Sequence, residues 1–177
     1  MTRRQAREAV LCMLFDYSFH EQEKPEELLE LYLDNYYDES EKCLCAEIRS
    51  DKYFTKTYFG VISNLPEIDS LIERFSKKWS KKRISRISVS VLRIAVYEMK
   101  YVEDIPTQVS INEAVELSKR FDTEDSYTFV NGVLGAIEKY LSENSGDSDN
   151  SENLKEDVEK KAEKLEKIGY KEYMAQK

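Results

Sequence analysis

Glycine and proline are scarce, with 5 and 3 residues in a chain of 177. So few turn formers leave little room for short-strand architectures. The apolar residues recur at helical spacing almost throughout, which predicts an all-α fold. No glycine-rich phosphate loop and no nucleophile-elbow motif is present, which excludes the enzyme classes built on them. Histidine is rarer still. The single His20 does not complete a zinc set with Cys12, Cys43 and Cys45. Acid pairs such as Glu113/Glu116 and Glu124/Asp125 lack the pattern of a buried dyad with split pKa values. No metal, no cofactor and no catalysis are therefore expected. Long apolar runs are missing too: Val10 to Phe15 ends at Asp16, too short for a signal segment or a membrane span. With an odd cysteine count this fits a cytoplasmic protein without membrane contact, and Cys12, inside that run, reads as a small core residue. Finally, positive charge is in deficit. A formal net charge of −8 argues against a non-specific nucleic-acid binder and confines any such contact to a local basic patch.

What is present is a series of amphipathic segments. Thr2 caps a helix that runs to about Phe19, with Ala6, Ala9, Val10, Met13, Leu14 and Tyr17 inward. Arg4, Arg7, Leu11 and Phe15 step by three or four along a neighbouring face, with Arg3 beside them. Guanidiniums next to an aromatic ring can grip phosphate and stack a base; the plainer reading is a buried Phe15 and solvated arginines. Pro25 starts a second helix through Leu28, Leu29, Tyr32, Leu33 and Tyr36. A third is expected from about Ala46 to Asn64, and Pro66 opens a fourth. Lys77, Lys78, Lys81, Lys82 and Arg83 form a basic cluster at that helix's end. Ser88 is the expected cap of a helix from Val89 to Tyr101. It is apolar on more than one side and so should be the central one, with Arg93 and Glu98 pairing to other helices.

The most informative stretch is Ser110 to Ile137. Ser110-x-x-Glu113 has the form of a capping box. Asp122 or Thr123 should cap a second helix, with Glu124 and Asp125 in its first turn and Val130, Val133, Leu134, Ile137 and Leu141 as its stripe. Asp125 and Phe129 are four apart and read as an acceptor beside an exposed aromatic, off the Val130/Val133/Ile137 face. Lys119 and Arg120 place basic groups at the same turn. Good helix termini plus one surface phenylalanine is the alternative.

Three ordered blocks resemble the NusB family of transcription antitermination factors: Arg3-Arg4-Gln5-Ala6-Arg7-Glu8-Ala9, then Val91 to Met99 with Ile105-Pro106 beyond, then Ser110 to Phe121 with Glu124-Asp125-Ser126 and Phe129 to Leu134. The resemblance covers roughly residues 2 to 141. It implies two small helical bundles packed at a steep angle. It also implies a function: binding boxA RNA together with the small-subunit ribosomal protein NusE, in an RNA polymerase elongation complex with other Nus factors, so that termination is suppressed in ribosomal RNA operons. Carried over by position, Arg3, Arg4 and Arg7 become phosphate contacts, and Phe15 falls where the family often has an aromatic near RNA. Asp125 and Phe129 become the base-contacting pair, with Lys119 and Arg120 beside them. The NusE surface is expected near Ser88, Val89 and Arg93. Gln5 interrupts the arginine run, and Asp122 stands where the family often has glycine.

The organisation expected is a helical RNA-binding domain over 1–141, a polar linker over 142–151 and a charged, partly helical tail over 152–177. A helical protein-interaction scaffold with little or no RNA binding is the competing reading. NusB-like domains also occur fused to RNA methyltransferases, but a chain of 177 residues is too short to hold both.

Overall fold

The computed structural model describes residues 1–35, 47–77 and 84–144. Seven helices lie within them, with a further helical turn at 47–50, and no strand occurs among the described residues: α1 Arg3–Tyr17, α2 Pro25–Asn35, α3 Lys52–Ser63, α4 Leu65–Ser76, α5 Arg86–Tyr101, α6 Thr107–Phe121 and α7 Ser126–Glu143. The fold is all-α. None of these helices is long and apolar enough to cross a membrane. Cys43, Cys45, Tyr36, Trp79, most of the basic cluster after Lys77 and the expected tail lie outside the described residues. At the expected start of the linker, α7 continues through Ser142 and Glu143.

The described residues fall in two compact units, Met1–Ser63 in one and the chain from Asn64 to the end of α7 in the other. In the first, Thr2 caps α1 as its sequence suggested. Its hydroxyl accepts the Gln5 amide at 3.2 Å, and Gln5 Oε1 accepts the Thr2 amide at 2.9 Å. Gln5 thus interrupts the arginine run because it completes a capping box. α1 packs on α2 and α3. Ala6, Val10, Met13 and Leu14 are fully buried, as are Phe54, Tyr58 and Val61 of α3. The Phe54 and Tyr58 rings stack at 6.0 Å, and the Tyr58 hydroxyl donates to the Pro25 carbonyl at 3.3 Å. The expected continuous third helix is broken at Asp51. Its carboxylate accepts the Phe54 amide at 2.8 Å, so the chain ends a helical turn at 47–50 and is recapped there. Cys12 corrects another expectation: it faces outward. It falls between Leu11 and Met13, both buried, and the stripe passes it by.

In the second unit α5 is the centre, packed on α4, α6 and α7. Every residue from Ser90 to Glu98 is buried, which is the central helix its two-sided apolar pattern predicts. Arg93 forms a two-pronged ion pair with Asp69 of α4, at 2.8 and 2.7 Å. Glu67 accepts from both Lys100 and the Tyr101 hydroxyl, tying the other end of α5 to α4. The caps differ from expectation. α5 begins at Arg86, capped by Ser85, whose hydroxyl accepts the Ser88 amide at 2.9 Å. α6 begins at Thr107, directly after Pro106, so Ser110 lies one turn inside it. The Ser110 hydroxyl is buried and finds no hydrogen-bond partner, and the capping box read from Ser110-x-x-Glu113 does not form. Proline explains the earlier start: its fixed φ suits a helix entry, and its carbonyl takes the Val109 amide at 2.8 Å.

Candidate nucleic-acid interface

The candidate residues fall in both units. In the first, α1 carries the arginines. Arg3 is exposed and its guanidinium lies 4.5 Å from the centre of the Tyr53 ring. Arg7 reaches the same ring at 5.6 Å but is only 4% exposed. Arg4 is exposed, 3.8 Å from Glu8 one turn on. The aromatic ring beside the guanidiniums is therefore Tyr53 of α3, not Phe15 as the α1 spacing suggested. Phe15 is 37% exposed and meets Phe19 edge-on at 5.2 Å. The reason is geometric: α3 packs along α1 and brings Tyr53 to the first two turns, whereas Phe15 sits two turns further on. Arg7 is no solvated phosphate ligand in this conformation. Arg3 and Arg4 are the exposed cations of α1, and the planar Arg3 guanidinium lies over the Tyr53 ring.

The second unit supplies the corner where α6 gives way to α7. Lys119 and Arg120 occupy the last turn of α6 and are exposed. Lys119 Nζ lies 2.7 Å from Glu116 and 5.5 Å from the centre of the Tyr127 ring. Arg120 lies over Phe121 at 5.1 Å. Asp122 ends α6 with φ −125° and ψ −171°, extended backbone that any residue adopts, so the glycine that the family often has here is not required. Its carboxylate does not cap α7. It accepts from the Ser85 and Ser88 hydroxyls at the start of α5 and from the Thr123 amide at 2.8 Å. Burial alone would raise this carboxyl; the hydrogen bonds from Ser85, Ser88, Thr123 and Ser126 outweigh it and hold the group below its ordinary value. The Thr123 and Ser126 hydroxyls meet at 2.8 Å, and α7 starts at Ser126, later than predicted. Glu124 and Asp125 consequently sit in the turn, both exposed, with Asp125 at the cap position and making no side-chain cap bond.

Phe129 overturns an expectation. It is 9% exposed and belongs to the core. Phe129, Val133 and Ile137 step by four, so the ring extends the apolar row instead of standing off it. Asp125 and Phe129 do not form an exposed acceptor–aromatic pair. The exposed aromatic at this corner is Tyr127, at 39%, which sequence reasoning missed. The available signal was its place two residues before Phe129, opposite the widened stripe. Tyr53 carried no such signal, because its partners come from another helix. The candidate partner surface is also largely internal. Ser88 is 2% exposed and bonded to Asp122, Arg93 is held by Asp69, and Val89 is half-buried.

The accessible set is thus two patches. Arg3 lies over Tyr53 and Arg4 beside Glu8, with Phe15 further along α1; Lys119, Arg120, Asp125 and Tyr127 lie at the α6–α7 corner. Cations supply salt-dependent phosphate attraction, aromatics stack unpaired bases, and a carboxylate can accept from an exocyclic amine.

Comparison with known proteins bears on what this arrangement serves. A sequence model of the NusB family matches residues 4–139. A transcription antitermination protein NusB from Agathobacter rectalis is 38% identical over 134 residues, covering 76% of this chain and 97% of the relative. One from Geotalea daltonii is 41% identical over 140 residues, covering 79% and 96%. Among solved structures, T. maritima NusB superposes with a TM-score of 0.60 at 40% identity, covering 78% of this chain and 92% of that one. A crystal structure of the antitermination factors NusB and NusE in complex with dsRNA matches with a TM-score of 0.60 at 25% identity, covering 79% and 99%. Helical architecture, family match and near-complete coverage of antitermination proteins agree: the chain belongs to the NusB family.

Proposed function

We propose that this chain binds boxA-type RNA jointly with the ribosomal protein NusE and, within the cytoplasmic RNA polymerase elongation complex and its other Nus factors, suppresses termination, notably in ribosomal RNA operons. The observation that carries the reading is the match over 79% of this chain to a NusB–NusE complex that holds RNA. The local chemistry supports it. Net charge is −8, yet Arg3, Arg4, Lys119 and Arg120 are exposed, each within reach of an aromatic ring or an acceptor. A small basic surface on an acidic protein binds RNA weakly alone and gains from a second protein that adds contacts.

The test is a fluorescence-anisotropy titration of labelled boxA-like RNA, single-stranded and duplex, with the chain alone, NusE alone and both. The expected result is tighter binding by the pair than by either protein, weakening as salt rises. No gain on adding NusE overturns the proposal in favour of a protein-interaction scaffold. Burial of Arg7 and Phe129 favours that second reading to the extent that it removes two of the expected RNA contacts.

A further inference from the structure

We propose that Asp122 is a positioning residue for RNA: it ties the α6–α7 corner to the start of α5 and so sets how well Lys119, Arg120, Asp125 and Tyr127 meet their ligand. The inference rests on the RNA-binding reading above. Asp122 touches no ligand in this role; it acts through the residues that flank it.

The carboxylate serves two elements at once. One oxygen accepts from the hydroxyls of Ser85 and Ser88, the latter at 2.6 Å. The other accepts the backbone amide of Thr123 at 2.8 Å. Ser126, the first residue of α7, completes the set. Ser85 meanwhile caps α5 through the Ser88 amide. The beginnings of α5 and α7 are therefore joined through a single side chain, placed between the exposed cations that precede it and the exposed carboxylate and tyrosine that follow. Within the turn the Thr123 and Ser126 hydroxyls meet at 2.8 Å and the Ser126 amide donates to the Thr123 carbonyl at 3.0 Å. These contacts shape the turn itself, whereas the Asp122 carboxylate ties it to the start of α5. Loss of the carboxylate strips the buried Ser88 hydroxyl of its acceptor, and at 2% exposure water cannot replace it. The helices themselves stay packed through Ile111, Ala114, Leu117, Val130 and Val133, all buried. The structure thus separates holding the fold from aiming the corner.

The test uses the full chain with NusE and labelled boxA-like RNA, at a temperature well below every variant's melt. Asp122→Ala is expected to lower RNA affinity about tenfold, in the usual range for coupling between linked sites. Asp122→Asn keeps an acceptor and should recover part of the loss. Ser85→Ala with Ser88→Ala should mimic Asp122→Ala. A double-mutant cycle supplies the readout that a merely structural role would not move. Added to Lys119→Ala with Tyr127→Ala, Asp122→Ala should cost little more, because the groups it aims are gone. Added to Arg4→Ala it should cost its full factor. Wild-type RNA affinity in a folded Asp122→Ala variant, or full additivity with the corner variant, overturns the inference and leaves the RNA-binding reading standing. Absence of RNA binding by the wild-type pair overturns both.

Discussion

Replacing Phe129 by alanine asks whether this ring is core or contact surface, and the structure sets the magnitude. The side chain is 9% exposed and lies in a row with Val133 and Ile137, both fully buried. Truncation forfeits about 2 kcal/mol of transfer free energy. The cavity left in a close-packed unit adds to this, and Phe→Ala changes in cores cost about 3–5 kcal/mol. Alanine returns up to about 0.5 kcal/mol through its better helix propensity. The net loss is then about 3 kcal/mol, which at about 4 °C per kcal/mol lowers Tm by about 12 °C. The assay is a circular-dichroism melt of wild type and Phe129→Ala, with Phe129→Leu as a size control that should lose less than half as much. A melt within about 2 °C of wild type would refute the packing argument, since no buried phenylalanine can be removed so cheaply. RNA affinity measured well below the melt then reports separately on contact. A stable variant with weakened RNA binding would return Phe129 to the surface role that its spacing from Asp125 first suggested.

Two further outcomes follow from the second unit. Arg93→Ala removes both prongs of the pair to Asp69 and leaves a half-exposed carboxylate; a loss of about 1–3 kcal/mol is expected in denaturant unfolding, and an unchanged midpoint would show the pair to be idle. Asp122 makes stability depend on acid: with its folded value held below the ordinary 3.8, it contributes stability that is complete above that value and is lost as pH falls through the folded one. The partners that hold it are hydroxyls and an amide, none of which titrates there. Asp122→Asn should therefore destabilise at neutral pH and flatten the acid limb of Tm against pH below about 4; an unchanged acid limb would refute the depressed carboxyl.

Periodicity and composition alone determined much of this protein. Scarce glycine and proline with a 3.6-residue apolar repeat leave helices as the economical way to satisfy the backbone, and Thr2 and Gln5, three apart, specify how α1 begins because capping is local. The depth of α5 was legible for the same reason: a helix apolar on several sides has to be surrounded. Family resemblance was legible in ordered blocks, and the family match followed it. Tertiary structure decided the rest. Ser110 and Ser88 look like caps but lie inside their helices, because Pro106 and Ser85 start them a turn earlier. Asp122, read as a cap for the next helix, instead spends its carboxylate on α5, a partner more than thirty residues away. Arg3 and Arg7 found Tyr53 across a helix–helix contact that no spacing encodes. Phe129 turned inward because the width of a stripe depends on what packs against it, and that packing left Tyr127 as the exposed ring of the corner. Local hydrogen bonds and helical phase are written along the chain; which side chains reach water depends on neighbours distant in sequence.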